Sequence, residues 1–182
     1  AEMTHSDLVG RVSRGDSGSS EMNHGTHVSG IIVGNGNNSN GTYRGMAPNA
    51  TLVTFEWPDS ANELYGEINT SITNSSVLSQ NSWGDSINSG DSNCYLHGNY
   101  DSTYTKGYDE IVRGDNVNGK INVVFSAGNS GSGNYGCHTG YNTTNSPGGT
   151  SKNAIVVGSV SSDTYTINAY SSRGPTDDGR IK

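Results

Sequence analysis

Ile121-Asn122-Val123-Val124-Phe125-Ser126-Ala127-Gly128-Asn129 decides the fold. Its first part is apolar and β-branched, the composition of a buried, pleated strand, and its end turns small and polar. Val77-Leu78-Ser79-Gln80-Asn81-Ser82-Trp83-Gly84 has the same two-part form. Working outward, Thr51-Leu52-Val53-Thr54-Phe55 and Ala154-Ile155-Val156-Val157-Gly158-Ser159-Val160 read as two further strands bounded by turns. Leu64, Ile68 and Ile72 recur at helical spacing across 61–76, and 108–113 reads as a short helix. Residues 8–12 read as a short edge strand, and 85–108 and 130–149 as loops. Apolar strands alternating with helices predict a parallel sheet covered on both faces, hence an α/β fold. Such sheets bind ligands beyond the carboxyl ends of their strands, where 81–84 and 126–129 both fall.

At 182 residues the chain suits one domain. Its composition is lean in apolar residues, 30% with 26 Gly, and its mean hydropathy is −0.63. The polar excess is uncharged and the apolar residues are gathered into runs, which fits a loop-rich α/β protein better than a disordered one. A net charge of −7 with no basic run argues against a nucleic-acid partner. No stretch approaches the roughly 20 apolar residues of a membrane span, and no signal peptide is legible.

His24-Gly25-Thr26-His27-Val28-Ser29-Gly30, running into Ile31-Ile32-Val33, reads as a helix whose first turn carries a histidine. Three readings of His24 stand: a satisfied histidine on a capped helix, a metal ligand paired with His27, and a catalytic base. The metal reading lacks the Glu of a His-Glu-x-x-His motif and a third ligand. Asn129 reads either as a cap on a tight turn or as a hydrogen-bond donor, and Trp83 as a core aromatic or a groove wall. Cys94 and Cys137 are one disulfide or two thiols.

Taken together, the motifs resemble those of the subtilisin-like serine proteases. His24 to Gly30 resembles the family's histidine motif, and Gly45-Met46-Ala47-Pro48-Asn49-Ala50 its Gly-x-Ala-Pro segment. Ser82-Trp83-Gly84 resembles its substrate-binding strand, and Ala127-Gly128-Asn129 the segment carrying its oxyanion asparagine. Ser146-Pro147, with Lys152-Asn153-Ala154-Ile155-Val156-Val157-Gly158, is similar to its Pro-x-x-x-x-Asn-x-Ile-x-Val-Gly strand. Tyr170-Ser171-Ser172-Arg173-Gly174-Pro175 is similar to Phe-Ser-Ser-Arg-Gly-Pro. The run to Lys182 resembles the alkaline, oxidatively stable branch.

The resemblance implies a three-layer subtilisin-like fold and a secreted serine endopeptidase acting on peptides or proteins. It makes His24 the general base and the Asn129 amide the oxyanion donor. The subtilisin asparagine is itself a standard instance of such a donor, and its removal costs about 10²–10³ in kcat. Ser82, Trp83 and Gly84 would pair with substrate backbone, and Ser126, Ala127 and Gly128 would form the opposite wall of the S1 pocket. The family often has a cis bond before the proline matching Pro147. Calcium is admitted as a cofactor of the parent protein, and no other metal is implied.

Two triad members are missing from this pattern. The family's nucleophile sits in Gly-Thr-Ser-Met-Ala, a pentapeptide absent from residues 1–182. His5-Ser6-Asp7-Leu8 resembles the His-Pro-Asp-Leu that follows the catalytic aspartate, so that aspartate is expected ahead of Ala1. Asp7 itself matches a structural or calcium-linked position. The chain therefore reads as a partial catalytic domain over 1–182, inactive without the remaining segments. Its sheet should have a gap between the strands at 51–55 and 77–82, where the family places the aspartate strand. The alternative is a pseudoprotease, a non-catalytic module that binds peptides.

If the strands ending at Gly84 and Asn129 are neighbours in a parallel sheet, the loops bearing Cys94 and Cys137 leave it at the same end, and a secreted origin permits oxidation. One bridge is therefore expected. Thiol titration of the denatured, unreduced chain should find no reactive thiol; two per chain would refute the bridge.

Overall fold

The computed structural model describes residues 1–17, 23–85, 96–133 and 140–182. Cys94 and Cys137 lie outside the described residues. The chain divides into two compact units, Ala1–Asp59 and Ser60–Lys182.

In the first unit, β1 (Val12–Arg14) pairs in parallel with β2 (Leu52–Thr54), Val12 opposite Leu52 and Arg14 opposite Thr54. Helix α1 (Asn23–Val33) follows the histidine motif as expected. Leu8, Val12 and Val33 are buried together, with Ile32 and Leu52 against them. The edge strand expected at 8–12 begins only at Val12. Before it the His5 carbonyl accepts the amides of Leu8 at 2.8 Å and Val9 at 2.9 Å, closing a turn that aims Leu8 into the core. Gly10, at φ +79°, ends that turn, a conformation that favours glycine. The Arg11 guanidinium then donates to the carbonyls of Asp7 (2.6 Å), Pro48 (2.7 Å) and Val33, tying three segments of the unit together.

The second unit contains α2 (Ala61–Thr73), β3 (Leu78–Asn81), α3 (Tyr104–Arg113), β4 (Asn122–Ser126) and β5 (Ile155–Val157). Ser60 caps α2 by accepting the Glu63 amide at 3.2 Å. Strands β3, β4 and β5 form a parallel sheet in that order, with Asn81 opposite Phe125 and Phe125 opposite Val156. Leu64 and Ile68 of α2 and Tyr108 and Ile111 of α3 meet Val123 and Phe125 in the core. Phe125 is fully buried and meets Tyr108 edge-on at 4.8 Å and Trp83 at 5.8 Å.

Two expectations need correcting. Among the described residues of this unit, cover on both faces is not seen: α2 and α3 pack on the Val123–Phe125 face, and the alternate residues Leu78, Ile155 and Val157 on the other face are about half exposed. The helix expected at 108–113 starts four residues earlier, because Asp101 accepts the amides of Thr103, Tyr104 and Thr105 and so starts its first turn. β2 and β3 belong to separate sheets, and among the described residues no strand pairs with the second edge of either. No described helix is long and apolar enough to cross a membrane.

Phe125→Ala removes the ring on which Trp83 and Tyr108 converge. It should destabilise the chain by about 3–5 kcal/mol, read as a lowered urea midpoint. Tyr43→Ala, at an exposed ring, should leave that midpoint nearly unchanged.

Candidate active site

The parallel register brings the polar tails of β3 and β4 out at one end of the sheet. Ser82, Trp83 and Gly84 extend β3 and are half-buried; Ser126 is exposed, Ala127 buried and Gly128 half-buried. The Ala127 amide continues the ladder to the Val157 carbonyl at 2.9 Å. The chain then turns at Gly128, at φ +97°, where a Cβ would lie 2.9 Å from Ser172 Oγ. Neither the angle nor the space suits a side chain. Asn129 follows this turn and is exposed.

The segment 143–147 lies against both tails. The Asp85 amide donates to the Ser146 carbonyl at 2.8 Å, and the Asn145 side-chain Nδ2 donates to the Asp85 carbonyl. Asn145 Oδ1 is 3.9 Å from where a Cβ on Gly84 would stand and 3.1 Å from one on Gly128. The Ser146–Pro147 bond is cis, as expected, and so is Gly174–Pro175, which the sequence did not signal. The Trp83 ring turns into the core, edge-on to Tyr104 and Phe125, and its Nε1 donates to Asn81 Oδ1 at 3.2 Å. Trp83 is thus a core aromatic, its ring turned away from the strand end.

The second unit therefore brings Ser82, Trp83, Gly84, Ser126, Ala127, Gly128 and Asn129 together. His24 belongs to the first unit, exposed in the first turn of α1. His27 lines a cleft of about 460 Å³ in that unit with His5, Asp7, Tyr43 and Arg44, and His24 is not in its lining. Among the described residues no group of three or more His, Cys, Asp or Glu is placed to hold a metal ion. Asp7, expected at a structural or calcium-linked position, accepts the Asn38 amide with Oδ1 at 3.0 Å.

Two signals in the sequence were passed over. Asp16-Ser17-Gly18 carries the letters of the family's aspartate motif, eight residues ahead of His24. Asp16 comes just after β1, and its Oδ2 accepts the Glu56 amide at 2.5 Å, which ties the ends of β1 and β2. Gly149-Thr150-Ser151 shares three letters with the nucleophile motif. Ser151 is fully buried and its hydroxyl donates to the Pro147 carbonyl at 2.8 Å, so no substrate can reach it.

The sequence profile of the Subtilase family matches residues 4–182. The chain belongs to the subtilase family. Among solved structures it resembles the protease domain of PatA, determined as an S218A mutant, with a TM-score of 0.59 at 16% identity. The match covers 90% of this chain and 54% of that one, so this subtilase spans about half the length of the structure it matches. At that identity the likeness concerns the fold, which is an incomplete α/β subtilisin-like one. Subtilases are serine peptidases, and their substrates are peptides or proteins.

In this subtilase the 143–151 loop is anchored on Asp101. Its Oδ2 accepts the hydroxyls of Ser146, at 2.5 Å, and Thr105, and Thr105 Oγ1 lies 2.7 Å from Thr150 Oγ1. Burial opposes ionisation of Asp101, but the hydrogen bonds from Ser146, Thr105 and the Thr103 and Thr105 amides outweigh it and hold the carboxyl below its ordinary value. Asp85 is shifted the other way, raised chiefly by burial, with His97 opposing and Asp101 adding to the rise.

A folded-state pKa below the unfolded one gives stability that is complete above the unfolded value, about 3.9 for an aspartate, and lost as pH falls through the folded value. Asp101→Asn should lower Tm at neutral pH and shrink the loss of Tm on acidification below about pH 4. A Tm–pH curve merely displaced, with its acid limb unchanged, would show that Asp101 does not carry this dependence.

Proposed function

We propose that residues 1–182 are part of the catalytic domain of a secreted, subtilisin-like serine endopeptidase that cleaves peptide bonds through an acyl-enzyme. One observation carries the reading. Asn129 is exposed on a left-handed glycine turn, at the sheet end where two polar strand tails meet. Acyl transfer needs a donor aimed at the developing oxyanion, beside an extended groove that holds the peptide in register. Asn129 supplies the donor through its side-chain amide. The backbone of 82–84 pairs with the substrate, and 126–128 wall the S1 pocket.

His24, exposed in the first turn of α1, is the general base. It takes the proton of the nucleophilic serine and returns it to the leaving amine. That serine and the triad aspartate belong to segments outside this chain, so 1–182 alone is inactive. Ser151 is buried, and Asp16 is engaged with the Glu56 amide; neither substitutes. Secretion rests on the family resemblance. A pseudoprotease would keep the groove without keeping His24 and Asn129 as well, and the presence of both favours the enzyme.

The purified 182-residue chain should hydrolyse no peptide anilide and should not react with a fluorophosphonate probe. In the longer chain containing it, Asn129→Ala should lower kcat by about 10²–10³ with little change in KM. Full activity of that variant would remove Asn129 from the mechanism, and serine labelling of the short chain would show that the nucleophile is already present.

A further inference from the structure

We infer that Ser172 is a positioning residue for Asn129, holding the turn that presents the oxyanion amide; this rests on the catalytic reading of Asn129 given above. Ser172 engages the chain on both sides of Asn129. Its amide donates to the Gly128 carbonyl at 3.0 Å, and its Oγ accepts the Ser130 amide at 2.9 Å. Asn129 is therefore bracketed by two hydrogen bonds from a single residue, while its own side chain stays exposed.

The bracket is rigid because its surroundings are closed. Ser172 is 5% exposed and Ser130 8%, so water cannot easily replace either bond, and an unpaired Ser130 amide there would be costly. Gly128 at φ +97° brings its backbone within reach, since a Cβ would lie 2.9 Å from Ser172 Oγ. The neighbouring residues fix Ser172 itself. The Gly131 amide donates to the Tyr170 carbonyl at 2.9 Å, and the Ser159 amide, just beyond β5, donates to Ser171 Oγ at 3.0 Å.

The segment 170–172 thus lies along the tails of β4 and β5 and fixes the turn between them. An oxyanion donor works by being held in place before charge develops, and a misplacement of about 1 Å can cost as much as 10²-fold. Ser172 does not reach substrate in this arrangement. It acts only through the backbone at 128–130, which makes its effect dependent on Asn129.

A double-mutant cycle in the longer, active protease chain tests this, with Ser172→Ala, Asn129→Ala and the double variant assayed on a peptide anilide. Ser172→Ala keeps its amide bond to Gly128 and removes only the Oγ acceptor. The expected result is a kcat about tenfold lower with KM nearly unchanged, below the 10²–10³-fold ceiling of losing the donor itself. In the Asn129→Ala background Ser172→Ala should cost nothing further, because the group it positions is gone.

Amide exchange at Ser130, measured in the 182-residue chain, should quicken in Ser172→Ala ahead of global unfolding. An unchanged kcat in Ser172→Ala, or an equal loss in both backgrounds, overturns the positioning role and leaves the catalytic reading standing. An unchanged kcat in Asn129→Ala overturns both. The two failures are therefore told apart by the single variants.

Discussion

The carboxylate of Asp101 is the interaction on which the second unit depends. Three amides at the start of α3 and the hydroxyls of Thr105 and Ser146 converge on its two oxygens. One side of this cluster starts the helix whose Tyr108 and Ile111 fill the core. The other side holds the loop that carries the cis Ser146–Pro147 bond. A half-buried carboxylate is costly without donors, and with five it becomes a fixed point joining helix to loop. From that loop Asn145 and Ser146 reach the tail of β3 through Asp85. The geometry of the two strand tails is thus set by polar contacts resting on an aromatic core.

That division of labour suits the composition. With 30% apolar residues, the chain cannot hold long loops by hydrophobic burial alone. Buried hydroxyls take up the work: Thr105, Thr143, Thr150, Ser151 and Thr176 are fully buried, and hydrogen bonds involving them link α3, the 143–151 loop and the C-terminal segment. Arg180 extends the same logic, donating to the Thr150 carbonyl at 2.6 Å while pairing with Asp178. Ser172, in the segment after β5, joins this network to the turn at 128–130 through its bonds to Gly128 and Ser130. The apolar core fixes where the sheet lies; the hydroxyl network fixes how its tails are presented.

The described strands fall into two separate parallel sheets, one in each unit. Strands β2 and β3 each retain one partner, and the second edge of each is left without a strand among the described residues. The contacts of the chain accordingly sort into two units with the boundary at 59/60. Half-exposed Leu78, Ile155 and Val157 on the far face of the second sheet are also unusual for parallel strands, which are normally covered on both sides.

The sequence by itself determined the strands at 52–54, 78–81, 122–126 and 155–157, the helices at 23–33 and 61–73, and the family. Those are local signals, since apolar runs, helical spacing and glycine-bearing motifs are written in consecutive residues. It also anticipated the cis bond before Pro147, through resemblance to the family. Tertiary structure decided the rest. Leu8 looked like strand because it is apolar, but a turn closed by the His5 carbonyl carries it into the core. Helix α3 starts early because the Asp101 carboxylate accepts the amides of Thr103, Tyr104 and Thr105, and the Ser146 hydroxyl, 45 residues away, helps to hold that carboxylate. Trp83 turns inward because Phe125, Tyr104 and Tyr108 surround it, and Ser172 reaches Ser130 across 42 positions. Contacts between residues so far apart depend on how the sheet folds the chain back on itself, and no local pattern of residues encodes that.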